Sequence, residues 1–301
     1  MVSLNWPAEM LADDGDGQAW MHPESNICLD FHGDPVKARL VVFSDGNHHM
    51  ALQEALDQFQ KQYPNCGHIF YVTTPPSPIV NFLRGGDLRI GNLVLSVKPH
   101  IFMSPPHILA TLQRDGLIAH HAPFMQNRGN VLLVRKGNPK NIRGIKELIR
   151  SGIRLFLSNP RSETVSYNGY RETLLGLAAR EELDGRFLEV KKAAKEIIYG
   201  EKIHHREAPQ ALADGRADAA VLYYHLALRF CRIFPEHFEL IPLGGTVDNI
   251  QPGPENLISL TQAGIIGDGG EWGERFFNFL FSETVTDIYA EHGMTRPKDT
   301  A

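Results

Sequence analysis

Hydroxyl and amide groups gather most densely between Ser158 and Asn168, where Ser158, Asn159, Ser162, Thr164, Ser166, Tyr167 and Asn168 precede an apolar helical pattern. Donors of this kind beside a helix N-terminus suit a small anion, because the first backbone N–H groups lack intrahelical acceptors and the helix dipole is positive there. Ser and Asn also cap helices with no ligand at all, and residue types alone leave both uses open. A second cradle of the same form is Ser44-Asp45-Gly46-Asn47, set between the apolar run Arg39 to Phe43 and a helical pattern carrying Leu52, Ala55, Leu56, Phe59 and Tyr63 on one face. A third group, Thr73, Thr74 and Ser77, is interleaved with Pro75, Pro76 and Pro78, which remove backbone donors and leave the side-chain hydroxyls as candidates.

Histidine supplies the competing chemistry. The chain has 14, including the adjacent pairs His48-His49 and His204-His205. Neutral imidazoles suit Zn, Cu, Ni or Fe. A metal site would need about three or four of them to converge with a carboxylate such as Asp45 or Glu207. His22, Asp30, His32 and Asp34 lack the regular spacing of a metal site and read as a solvated loop. His120 and His121 also read as a solvated pair with no role.

No nucleophile elbow, P-loop or metalloprotease spacing is present, so the expected function is not enzymatic and no cofactor is implied. The net charge of -5, with no basic stripe and no helix-turn-helix segment, gives no reason to expect a nucleic-acid partner. Cys28, Cys66 and Cys231 show no CxxC spacing, and their odd number argues against a complete disulfide framework. No apolar run reaches the roughly 18 residues of a membrane span. The N-terminal stretch has neither a basic start nor an apolar core. The expected location is therefore cytoplasmic if the native chain starts here, and periplasmic if an export signal has been removed.

The scaffold is read as α/β. Asn130 to Arg135 and Ile153 to Leu157 are short apolar strands, joined by a helix with Ile142, Ile145, Leu148 and Ile149 on one stripe, which reads as a βαβ unit. Further strands are expected at His68 to Thr73, His100 to Ser104 and Phe238 to Leu243. Helices are expected at Ile108 to Leu112, Glu172 to Glu182, Phe187 to Ile197, Ala208 to Asp214 and Trp272 to His292. The phrase Gly215-Arg216-Ala217-Asp218-Ala219-Ala220-Val221-Leu222-Tyr223-Tyr224 reads as a helix stopped by Gly, a tight turn, and a buried strand that delivers Tyr at its end.

That phrase, the stretch from Asn130 to Leu175 and the closing FFNFLFSETVTDIYAEHGM resemble periplasmic molybdate- and tungstate-binding proteins, the type II solute-binding proteins of ABC transporters. The resemblance covers roughly residues 38 to 296. It implies a two-lobed, periplasmic-binding-protein-like (type II) fold, each lobe a mixed sheet flanked by helices, joined by two crossover hinge segments that close on ligand. The domains then read as an N-terminal extension over 1–37, lobe I over 38–128 with 225–301, and lobe II over 129–224. Carried over by position, Ser44 and Tyr223 offer hydroxyls to the oxyanion, Thr73 or Ser77 takes the place of a second ligand serine, and His205 and Tyr167 stand where backbone N–H donors are found. Asn47, His48 and His49 depart from the small or apolar residues of that family. The expected function is capture of a small molybdate- or tungstate-like oxyanion by a monomer that serves an ABC-transporter permease. The alternatives are a transition-metal or metal-chelate binder using His48, His49 and His204, or a cytoplasmic ligand sensor reporting to a partner.

Overall fold

Short apolar runs alternating with amphipathic segments build two separate sheets in the computed structural model, which describes residues 30–74, 76–90, 93–201 and 203–297. The described residues divide into two units, one holding residues 30–126 and 259–297 and the other residues 127–258.

The first unit is built on a six-stranded sheet in the order β1-β3-β2-β6-β13-β7, comprising β1 (Asp30–His32), β2 (Ala38–Ser44), β3 (His68–Thr73), β6 (Ile101–Ser104), β7 (Ile118–Gln126) and β13 (Leu260–Ile266). β3, β2 and β6 run parallel, while β1 and β13 run antiparallel to their neighbours. A small hairpin of β4 (Leu88–Ile90) and β5 (Leu93–Leu95) stands apart. The run Leu40 to Phe43 is continuously apolar because both faces of β2 are covered. Leu40 and Val42 pack with residues of α1 (His49–Gln62), α9 (Gly270–Leu280) and α10 (Glu283–Glu291), whereas Val41 and Phe43 pack with residues of α2 (Pro76–Gly85) and α3 (Pro106–Arg114).

The second unit has a five-stranded sheet in the order β10-β9-β11-β8-β12, formed by β8 (Asn130–Arg135), β9 (Leu155–Leu157), β10 (Ile197–Tyr199), β11 (Ala219–Tyr223) and β12 (Phe238–Pro242). Its helices are α4 (Ile145–Ile149), α5 (Thr164–Arg180), α6 (Phe187–Ala193), α7 (His204–Ala213) and α8 (Tyr224–Ile233). β9, β10 and β11 are parallel; β8 is antiparallel to β11 and to β12.

Several sequence expectations change here. β8 and β9 are not a βαβ pair, because β11 inserts between them and they run in opposite directions. The polar loop after Leu157 is shorter than expected: α5 begins at Thr164, so Ser166, Tyr167 and Asn168 are helical. The helix read over Phe187 to Ile197 ends at Ala193 and gives way to β10. The long C-terminal helix breaks at Ser282, whose side chain accepts from Val285 N–H and starts α10. His120 and His121 lie in β7 rather than on a loop.

The chain does not leave the second unit after Tyr224, so the 224/225 boundary is corrected to the neighbourhood of Ile258. β12 pairs with β8, and Asn256 ties the following segment to it by accepting from Asn130 N–H at 2.7 Å and donating to Asn130 O at 2.8 Å. Gly129 permits this approach. Its φ is +78°, and a Cβ there would stand 2.9 Å from Asn256 side-chain atoms. Of the extension drawn over 1–37, residues 30–32 form edge strand β1, while residues 1–29, with His22, lie outside the described residues.

Candidate functional site

Parallel strands deliver their last residues, and the helices that follow begin, at one edge of each sheet. In open α/β sheets this carboxyl edge is where ligands are met. In the first unit it holds Ser44, Thr73 and Ser104, with Gln262 of β13 opposite Ser104. In the second it holds Ser158, Tyr199 and Tyr223.

Ser44 is fully buried and its hydroxyl is committed inward. Ser44 Oγ donates to Asp45 O at 2.9 Å and lies 3.0 Å from His48 Nε2, while His48 Nδ1 lies 2.8 Å from Tyr289 OH. With the serine proton on the Asp45 carbonyl, His48 Nε2 carries a proton and donates to Ser44 Oγ. Asp45 caps the 3-10 turn Gly46–His48 by accepting from Asn47 N–H, and burial pushes its carboxyl up to about 6. Burial also raises the Tyr289 hydroxyl far above the usual range. Thr73 Oγ1 donates to Asp30 at 3.3 Å, and Ser77 is exposed in the first turn of α2. His49 Nδ1 lies 3.0 Å from Gly46 O.

In the second unit, Tyr223 ends β11 almost fully buried, its ring stacked on His225 at 5.8 Å and 7° and tilted against Tyr170 at 5.2 Å. The Tyr170 hydroxyl faces the Tyr223 backbone N–H and is raised by burial first, then by Tyr223 and Glu163. His204 opens α7. Its ring stacks on Phe156, its Nε2 lies 3.4 Å from Phe156 O, and burial pushes its pKa down to about 3, so the imidazole is neutral near neutral pH. His205 is half-buried and is held well below the ordinary histidine range by desolvation and by Arg206, His204, His225 and Arg229 around it. Ser166 Oγ lies 3.1 Å from Ser158 Oγ, and Tyr167 packs edge-on against Tyr199 at 6.1 Å.

Glu163 was not legible as part of this edge. Its carboxylate accepts from His204 N–H at 3.1 and 3.2 Å and from Asn159 N–H at 3.5 Å, and so sits at the start of α7 where the helix dipole favours an anion. Burial raises its pKa more than these bonds lower it. Ser104, Gln262, Tyr170, His225 and Arg229 were also missed; each depends on contacts distant in sequence.

His48 and His49 belong to the first unit and His204 to the second, and both ring nitrogens of His48 are engaged. Among the described residues no three His, Cys, Asp or Glu side chains come together to hold an ion. Burial pushes the thiols of Cys66 and Cys231 up to about 11 and about 12, so neither is a thiolate nucleophile near neutral pH. Among the described residues no helix is long and apolar enough to cross a membrane.

The two mixed sheets with flanking helices have the type II periplasmic binding protein fold. The substrate-binding domain of a putative molybdenum ABC transporter from Clostridium difficile superposes with a TM-score of 0.61 at 14% identity, covering 86% of this chain and 99% of that one. The periplasmic molybdate-binding protein of Azotobacter vinelandii gives a TM-score of 0.57 at 15% identity, covering 86% and 100%. An iron-bound protein from Pseudomonas aeruginosa gives 0.57 at 14% identity, covering 87% of each chain. Comparison with curated proteins gives no sequence match. The family model for bacterial extracellular solute-binding proteins matches residues 40–295, and the chain belongs to that family.

Proposed function

We propose that this protein is a non-enzymatic carrier that captures a small tetrahedral oxyanion, of the molybdate or tungstate kind, by neutral hydrogen bonds and delivers it to an ABC-transporter permease. The observation that carries the reading is Tyr223, set at the carboxyl end of β11 between Tyr170 and His225. A phenol carries one donor without a charge. Tyr167 and the His205 backbone N–H, which meets no acceptor among the described residues, add donors on the same edge. Uncharged donors at strand and helix ends replace a hydration shell, and they select by number and position because an ill-fitting ligand leaves some unpaired. Two neighbours in fold come from molybdenum or molybdate systems, which agrees with this ligand; the iron-bound neighbour marks the competing one.

Thermal unfolding of metal-stripped protein against molybdate, tungstate, sulfate and phosphate, and separately against Zn, Ni, Cu and Fe, tests the reading. A ligand at about a hundred times its dissociation constant adds roughly 2.7 kcal/mol of stability. Molybdate or tungstate is expected to raise the melting temperature. A rise with a transition metal alone would overturn the proposal.

A further inference from the structure

In the first unit the serine expected to meet ligand, Ser44, has its proton on a backbone carbonyl and its oxygen against His48. One residue beyond the partner of Ser44 on β6 stands Ser104, fully buried, whose Oγ has no hydrogen-bond partner among the described residues. Directly across the antiparallel pair, Gln262 of β13 is nine-tenths buried and its Oε1 also lacks one. Opposed residues on one sheet face have Cβ atoms about 5 Å apart, so a hydroxyl and an amide there reach a common group. Two residues on from Ser104, the nine-residue helix α3 begins with Pro106, and the His107 N–H meets no acceptor among the described residues.

Buried side-chain polar atoms nearly always find a partner, and leaving one without costs about 1 to 3 kcal/mol. Two such atoms opposite one another, at a ligand-facing sheet edge and beside a helix start, mark a place completed from outside the fold. We infer that Ser104 and Gln262, rather than Ser44, form the first unit's ligand seat, an inference that rests on the oxyanion reading of this protein. Ser104 Oγ–H and the Gln262 amide, turned to present Nε2, donate to ligand oxygens, with the positive end of α3 behind them. The two side chains of the seat are a hydroxyl and an amide, not the imidazole or carboxylate that a transition metal favours. The seat therefore takes a deprotonated tetrahedral oxyanion and not a cation.

The test is isothermal titration calorimetry of the full chain with molybdate, tungstate and sulfate, on the wild type, Ser104→Ala and Gln262→Glu, with a melting curve of each variant without ligand. Ser104→Ala removes an unsatisfied hydroxyl, so its ligand-free melting temperature is expected to stay level or rise while affinity falls roughly ten- to a hundredfold. Gln262→Glu places a negative charge in the seat and should weaken binding further. Wild-type binding with both variants unchanged would overturn the seat and leave the oxyanion reading standing. A wild type that binds none of the three anions would overturn both.

Discussion

The two sheet edges share one plan, a parallel strand ending in a hydroxyl residue beside a helix start, and they surround that residue with different groups. At the first edge Ser44 is closed into a chain that runs from the Asp45 carbonyl through His48 to Tyr289. At the second, Tyr223 is packed by rings, and the neighbouring helix start holds an internal carboxylate, Glu163. Equivalent places in sequence pattern are thus not equivalent in chemistry. What decides is which buried groups the surrounding helices bring up beside the hydroxyl.

The comparison is broken most forcefully at Asp45. Its pKa is about 6 in the folded protein against 3.8 for an unperturbed aspartate, so the folded state holds the proton more tightly. The stability tied to that proton is complete below 3.8, declines as pH rises between 3.8 and 6, and is lost above 6, a change of about 3 kcal/mol. Asp45→Asn retains an oxygen for Asn47 N–H and removes the charge. Urea unfolding from pH 4 to 7 is expected to show the wild type losing stability relative to the variant as pH rises; a constant difference between the two profiles would contradict a carboxyl held protonated by burial. At the second edge the expected effect is on binding. Tyr223→Phe should cost about 2 kcal/mol of oxyanion affinity by titration calorimetry, and an unchanged affinity removes Tyr223 from the site.

Tyr289→Phe sharpens the contrast between two tyrosines. The Tyr289 hydroxyl meets His48 Nδ1 inside the first unit, so its loss leaves a buried ring nitrogen bare and should lower stability by roughly 1 to 2 kcal/mol, read from the urea midpoint. Oxyanion affinity should hardly change. If affinity falls and stability holds, the Ser44 chain is part of the ligand site rather than of the scaffold.

Strands such as β2, β8 and β11 are legible in sequence because both of their faces are covered, which turns them into unbroken apolar runs: Leu40 to Phe43, Val131 to Val134, Ala219 to Leu222. The end of β11 at Tyr223 is legible for the same reason. Strand order is not, since the insertion of β11 between β8 and β9 is a choice among pairings that local pattern does not distinguish. The return of the chain near Ile258 depends on Asn256 binding the backbone of Asn130, a contact between segments far apart in the chain. The site fared likewise. Residue types located hydroxyls at strand ends, but whether Ser44 keeps its proton for a ligand is settled by His48 and Asp45, and Gln262 meets Ser104 only through an antiparallel pairing of distant strands.

Glu163 carries the smallest expected effect and the one that separates the two edges most finely. Its carboxylate already occupies the dipole-favoured place at the start of α7, so an arriving oxyanion at Tyr223 and His205 meets a like charge. Burial raises the Glu163 pKa, which means that the proton returns at a higher pH than in a free carboxyl, and the protonated form no longer repels an anion. Affinity for sulfate, which stays a dianion across the range, should therefore strengthen as pH falls through the upper carboxylate range. Glu163→Gln keeps an oxygen for His204 N–H and removes the charge; a gain of about 1 kcal/mol in anion affinity is expected near neutral pH, with the pH dependence gone. Calorimetric titrations of both proteins at several pH values measure this. A variant that binds sulfate more weakly than the wild type would mean that the carboxylate holds the ligand's donors in place rather than opposing its charge.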